Sequence, residues 1–372
     1  MAPPLLLYGH ADVVPVDGQN WSVPPFEGRI QDGFVWGRGA LDMKGGLAML
    51  IVSFLKAAKT SPPGDLILAV VGDEERGGQY GAEYLAANHA DAFEGVKHAI
   101  GEFGGFTMSI GGRKIMPIQI SEKAYCCIDL VFHGVGGHAA TPPSTTAASD
   151  VGRFLVATAK HPMPIRVSEP ARQMLSALAD LMKSPSKKIL FTQLKSKALA
   201  PFVLRAMGPQ LRRVIEPLLR TVITPTLISG GVSRNVLPHS ISVKCDCRLI
   251  QGDTLEDLEN YIRRHVPSNC EIEIRPSARI AKKVDSSQFS LLAKIAQEFF
   301  PDVTPIPMLL PAVTDSRHFA SLDIQTYGFL PTILPSDFDF MSTIHGADER
   351  VPVDGLEKGA AAIGSFIDRY RG

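Results

Sequence analysis

Two periodicities alternate along the first 120 residues. The apolar runs in "PLLLYGH", "GDLILAVVGDEE" and "VKHAIGEFGG" each end on polar residues, as buried strands do. Between them, "GGLAMLIVSFLKAAKT" is apolar nearly all round with lysines toward its end, and "YGAEYLAANHADAF" follows the helical period. Strand and helix in alternation predict a mostly parallel sheet covered on both faces. Ligands of such sheets gather at the carboxyl ends of the strands. Here those ends carry His10-Ala11-Asp12, Asp73-Glu74-Glu75 and Glu102.

The pattern changes near Ser121. "EKAYCCIDLVFHGVGG" alternates apolar and polar residues, the mark of a half-exposed antiparallel strand. Helical stretches follow, including the basic "APFVLRAMGPQLRRVIEPLLRTV". Then come the strands "PTLISGGV" and "SISVKCDCRLI", the helix "TLEDLENYIRRHV" and the strand "EIEIRP". From about Ala281 the helix "SSQFSLLAKIAQEFF" returns to the first style. The expected class is α/β: a catalytic domain in two pieces, residues 1–120 and 281–372, with a smaller α+β domain, residues 121–280, inserted between them.

A chain of 372 residues exceeds one compact core, in keeping with two domains. Thirty-eight basic residues balance thirty-eight acidic ones, so neither nucleic acid nor an anionic membrane is expected as partner. No apolar run approaches the ~20 residues needed to span a bilayer. No basic stretch precedes the first apolar run, so a secretory signal is not expected. Cys126, Cys127, Cys245, Cys247 and Cys270 form an odd, unevenly spaced set. Cys245 and Cys247 alternate along a strand and should share a face, as buried free thiols rather than half of a metal site. A reducing, cytoplasmic setting fits them.

Metal-competent residues punctuate the α/β pattern: His10, Asp42 in "GRGALDMKGG", Glu74-Glu75 in "GDEERGG", Glu102 in "GEFGG" and His345 in "STIHGADERV". Two histidines and three carboxylates suit Zn²⁺ or a similar borderline cation. Two ions sharing a bridging carboxylate need about that many ligands, which leaves positions for water and a further carboxylate as general base. Each residue also has a plainer reading. A histidine at a strand end is commonly structural, adjacent glutamates commonly a solvated surface, and Asp42 stands where a helix N-cap would. The recurrence of such clusters at successive strand ends favours chemistry.

Eight stretches extend the pattern over nearly the whole chain: "GHADVVPV", "WSVPPFEGRIQDGFVWGRGALDMKGG", "GDEERGG", "GEFGG", "GVGGHAATPP", "GGVSRNVLP", "TDSRHF" and "IHGADERV". In this order they resemble the M20 metallopeptidases: di-zinc carboxypeptidases, aminoacylases, succinyl-diaminopimelate desuccinylases and dipeptidases. The resemblance implies that His10 binds one zinc, Asp42 bridges two, Glu75 and Glu102 complete one site each, and His345 binds the second ion. Co²⁺ or Mn²⁺ are implied substitutes. Asp12 would orient the His10 ring, and Glu74 would be the general base.

The resemblance also gives the inserted domain a role as lid and dimerisation module. Its His138 would stabilise the tetrahedral oxyanion, in dimeric members from the neighbouring subunit. Asn235 and Arg317 would hold the substrate's free carboxylate, and Gly328 would line the same pocket. The plainer readings are a structural histidine in a Gly-rich turn and a surface or interdomain salt bridge. Residue 102 is glutamate, which goes with carboxypeptidases and deacylases more than dipeptidases. The longer motifs look closest to the vacuolar carboxypeptidase and N-acyl-amino-acid hydrolase branch. The implied reaction is hydrolysis of an amide bond next to a free carboxylate, in a small peptide or N-acyl amino acid. A dipeptidase, or a truncated inactive or binding-only member, is the alternative. Family members carry several tens of residues before the first metal histidine, and His10 follows only nine. An exposed apolar face or sheet edge is therefore expected near the C-terminal helix "GLEKGAAAIGSFIDRYR".

Overall fold

The computed structural model describes residues 1–110, 112–277 and 284–372. The expected boundary at 280/281 lies outside the described residues. The chain is an α/β protein of mixed sheets and helices that divides into two compact units. The first comprises Met1–Glu122, Arg172–Thr192 and Lys283–Gly372, the second Lys123–Ala171 and Gln193–Lys282. Residues 172–192 thus group with the first unit. No described helix is long and apolar enough to cross a membrane.

The main sheet of the first unit uses β1 (Leu5–His10), β2 (Leu66–Val71), β3 (His98–Gly101), β4 (Arg113–Glu122), β5 (Thr304–Leu310) and β6 (Gln325–Gly328). Their order is β5-β4-β6-β3-β1-β2. The pairs β1–β2, β1–β3, β6–β3 and β5–β4 are parallel, and β6 meets β4 antiparallel at a single residue pair. Every residue of β1 is buried, because its side chains alternate between two cores. Leu5 and Leu7 join Leu47 and Leu50 of α1 (Gly45–Thr60) and Ile363 and Phe366 of the C-terminal helix Val353–Arg369. Leu6 and Tyr8 face Ala82, Phe93 and Phe319 on the other side. At the β2 edge no further strand pairs among the described residues, and Val70 there is half exposed.

A small antiparallel ribbon, Arg29–Gln31, Phe34–Trp36 and Arg350–Pro352, also belongs to this unit. The hydrophobic pattern gives no sign of it, because its strands are only three residues long, one exposed and two half-buried.

The second unit is built on a four-stranded antiparallel sheet in the order Val222–Gly230, Ser240–Leu249, Ala124–His133, Glu271–Pro276. The alternation read in the sequence is the packing pattern here. Cys126, Ile128, Leu130 and Phe132 face inward, with Val243, Cys245 and Cys247, onto Val151 and Phe154 of helix Ala147–Lys160 and Leu258 and Ile262 of helix Leu255–Arg263. Both helices open on a reciprocal cap, Thr146 with Ser149 and Thr254 with Asp257. All five cysteines are free. Burial pushes the Cys245 thiol up to about 12 and that of Cys247 further, so these are inert core residues. The basic helical stretch is two helices, Ala200–Ala206 and Pro209–Ile215, separated at Gly208-Pro209.

Candidate active site

Because β3, β1 and β2 are parallel neighbours, their carboxyl ends bring Glu102, His10 and the Glu74-Glu75 turn together. Asp42 joins them from the segment Ala40–Lys44 that leads into α1, and His345 from the loop between the helix Phe340–Thr343 and the strand Arg350–Pro352. Asp42 is the hub. One carboxylate oxygen lies 3.2 Å from His10 Nε2, and the other 3.1 Å from His345 Nε2. On the first side Glu102 reaches His10 Nε2 at 3.4 Å; on the second Glu75 reaches His345 Nε2 at 3.2 Å. The groups His10, Glu74, Glu102 and His10, Asp42, Glu75 each offer ligand atoms within 4.8 Å of one another. A buried oxygen of Glu102 has no hydrogen-bond partner. This donor set, imidazole and carboxylate around a shared aspartate, fits a pair of borderline divalent cations.

The electrostatics express the same crowding. Burial, and then the Glu102 and Asp315 carboxylates, push Glu74 up to about 9. Glu102 is raised by burial, and Asp315 goes to about 7 by burial and then by Glu102. Burial alone would depress His10, but hydrogen bonds to Asp42 and Glu102 carry it to about 12. Bonds to Asp42 and Glu75 carry His345 to about 10. Against its own burial, Asp42 is held down to about 2 by the two imidazoles. Both imidazoles thus hold protons at neutral pH and must release them to act as ligands. Cation binding should therefore release at least two protons per chain, and a further one where Glu74 gives up its own, with apparent affinity rising about tenfold per pH unit for each. Calorimetry between pH 6 and 8, in buffers of differing ionisation enthalpy, checks this. Affinity independent of pH, with no proton release, is the contrary result.

Asp12 lies against both His10 and the Glu74-Glu75 turn. His10 Nδ1 is 3.1 Å from the Asp12 backbone carbonyl oxygen and 3.4 Å from its carboxylate. The two carboxylate oxygens accept from the amides of Glu74 and Glu75, at 3.3 and 3.2 Å. One side chain thus ties the His10 strand end to the Glu74-Glu75 turn. Asp12→Ala should weaken cation binding about 10- to 100-fold, read by competition with a chromophoric chelator. Unchanged affinity would show that the turn holds itself.

Arg317 is not the surface residue of its plainer reading. It is buried, donates to the carbonyls of Thr314 and Gly77, and stands 4.0 Å from a Glu74 oxygen. Gly328 ends β6 beside Gly101, and a Cβ there would fall 2.5 Å from the Glu102 carbonyl oxygen, so only glycine leaves that loop in place. In the second unit, His138 and Asn235 are neighbours. The ribbon Gly137–His138 pairs with Val236–Leu237, and the amide of Ala139 donates to the Asn235 carbonyl at 3.0 Å. His138 is exposed, and its Nδ1 accepts from the amide of Ala140. Among the other histidines, His98 meets Tyr370 and Asp285, and His133 meets Glu271.

Several residues of the site escaped sequence reasoning. Asp315, in "TDSRHF", is buried, and neither carboxylate oxygen has a hydrogen-bond partner. Arg38 and Glu349 form a buried ion pair at 2.5 Å. Each lies four residues from a candidate ligand, and opposite charges at matching offsets beside Asp42 and His345 were the available signal.

An α/β unit with a two-cation donor set at its strand ends suits metal-dependent hydrolysis, and the family decides which bond. The model of peptidase family M20/M25/M40 matches residues 6–369. The chain belongs to this family. It is 30% identical to the N-fatty-acyl-amino acid synthase/hydrolase PM20D1 of Homo sapiens, over 95% of this chain and 71% of that protein. It is 27% identical to the probable carboxypeptidase S-like 2 of Dictyostelium discoideum, over 94% and 68%. Its fold resembles the M20 family metallo-carboxypeptidase Sso-CP2 from Sulfolobus solfataricus, with TM-score 0.68 and 18% identity over 99% of this chain and 85% of that one. The protein is accordingly an M20-family metallopeptidase or amidohydrolase.

Proposed function

We propose that this protein is a di-zinc hydrolase that cleaves an amide bond next to a free carboxylate, releasing an amino acid. The observation that carries the reading is the placement of Asp42, whose two oxygens face His10 and His345 from between them. His10, Asp42 and Glu102 would hold one ion, and Asp42, Glu75 and His345 the other, with Co²⁺ or Mn²⁺ as substitutes. When bound, the ions supply Lewis acidity to the water and to the scissile carbonyl.

The chain's own residues perform the rest. Glu74 takes a proton from the attacking water and returns it to the leaving nitrogen. Positive charge brought to the cluster lowers its affinity for protons from the raised value set by burial and by Glu102 and Asp315. Arg317, 4.0 Å away, keeps its carboxylate oriented and pairs with the substrate carboxylate if it swings outward. His138 donates to the oxyanion, Asn235 contacts the carboxylate, and Gly328 leaves room beside Glu102. In this reading residues 121–280 are the lid and dimerisation insertion in a mostly parallel-sheet catalytic domain, 1–120 and 281–372, and the protein is a homodimer.

An apolar cleft beside Asp42 and Glu102 bears on the substrate. Phe103, Phe106, Phe340, Leu330 and Ile344 line it, with Phe106 and Phe340 stacked at 4.0 Å. The space is about 40 Å³, room for a small apolar group and not for a long acyl chain, so it does not choose between N-acyl amino acids and peptides. The named relatives, an N-fatty-acyl-amino acid synthase/hydrolase and a carboxypeptidase S-like protein, act by their names on N-acyl amino acids and on peptides. The test is product detection by mass spectrometry with zinc-loaded protein, across N-acyl amino acids, dipeptides and the same compounds with the carboxylate blocked. Cleavage lost on blocking is expected. Equal cleavage of blocked substrates overturns the carboxylate requirement, and silence across the panel overturns the reaction.

A further inference from the structure

The two loops that bear Asp42 and His345 are joined by one buried ion pair. Glu349 is 0% exposed, and both its carboxylate oxygens are hydrogen-bonded. One oxygen accepts from the amides of Leu41 and Asp42, both at 2.9 Å, and the other from Arg38 at 2.5 Å. The second terminal nitrogen of Arg38 donates to the His345 carbonyl at 3.1 Å and to the Gln19 side-chain oxygen at 2.7 Å. Gln19 closes the circuit, its amide donating to the same His345 carbonyl at 2.8 Å. The Arg38 guanidinium lies over the Trp21 ring, 5.1 Å from its centroid, and the Trp21 indole donates to the Gln19 oxygen.

A buried Arg–Glu pair gains little over apolar residues of the same shape, so stability alone does not account for one. What this pair does is specific in direction. Its anionic end grips the amide of Asp42 and its cationic end grips the carbonyl of His345. His345 sits in the left-handed region, at φ 59°, which residues with a Cβ adopt uncommonly. Two donors aimed at its carbonyl oxygen hold it there.

We propose that Glu349, Arg38 and Gln19 are positioning residues, a clamp that sets the separation of Asp42 from His345 and thereby the geometry of the cation site on the His345 side. The consequence for cations rests on the metal reading given above; the clamp itself does not. Gln19 is partly exposed and can be replaced at little risk to folding, whereas Glu349→Gln keeps the shape and removes the charge.

The experiment uses both variants in two assays. The first is hydrogen exchange followed by mass spectrometry on metal-free protein. It should give about 10- to 100-fold faster exchange in peptides spanning residues 37–46 and 343–349, with the β1 and β3 peptides unchanged. The second is stepwise Zn²⁺ titration against a chromophoric chelator, in which one of the two ions should lose about 10- to 100-fold in affinity and the other little. Unchanged local exchange overturns the clamp, as does uniform acceleration across the unit, which marks a merely structural pair. Equal loss of both ions overturns the assignment to the His345 side. A parent protein that binds no Zn²⁺ overturns the metal reading instead, while the exchange result still judges the clamp.

Discussion

Replacing Glu74 with glutamine is expected to lower kcat by about 10³-fold, within the range that a positioned general base supplies, while leaving two ions bound. Glutamine keeps the volume and hydrogen-bonding reach of the side chain and removes only its ability to accept and return a proton. The loss corresponds to about 4 kcal/mol of transition-state stabilisation. The geometry makes the metal readout as important as the rate. Glu74 lies in one group with His10 and Glu102, so it is near enough to act as a ligand, while Glu75 faces His345. A ligand replaced by an amide sheds an ion; a base does not. Glu75→Gln should therefore lose activity and one ion together. If instead Glu74→Gln loses the ion and Glu75→Gln retains both, the two adjacent glutamates exchange roles. Retained turnover in Glu74→Gln removes it from the chemistry altogether.

The contrast between these neighbours bears on what a sequence can reveal. The strands that carry the site were legible because burial on both faces gives a short apolar run that stops at its polar end. β1 begins and ends within the run first read as a strand, and α1 spans the residues of "GGLAMLIVSFLKAAKT". The cluster of His10, Glu74-Glu75 and Glu102 followed from parallel neighbours sharing one end. Asp42 and His345 could not be placed that way. They arrive on loops, about 300 residues apart in sequence, and loops carry no periodicity. Their partners were harder still. Glu349 reads as an ordinary charge beside Asp348 and Arg350, and only the fold buries it against Arg38. Arg317 illustrates the same limit from the other side: its charge suggests the surface, whereas the carbonyls of Thr314 and Gly77 hold it inside. A buried charge is invisible in a sequence until its partner is known.

The largest loss should come from Asp42→Asn. The amide occupies the same space but offers a single oxygen acceptor, so it can face His10 or His345 and not both. Zn²⁺ content should fall from about two ions per chain to one or fewer, and kcat/KM by at least about 10³-fold, the several kcal/mol that cation assistance supplies. The metal-free protein should also change in a defined direction. Hydrogen bonds to Asp42 are the first cause raising His345, and with burial opposing them they lead the rise of His10 as well. Without that carboxylate both imidazoles should titrate at lower pH, His345 more clearly because it is half exposed and has only Glu75 left beside it. NMR titration of the metal-free variant reads this shift independently of activity. Two ions retained with full turnover would remove Asp42 from its bridging place. An unshifted His345 with the ions lost would instead mean that Glu75, and not Asp42, is what raises its imidazole.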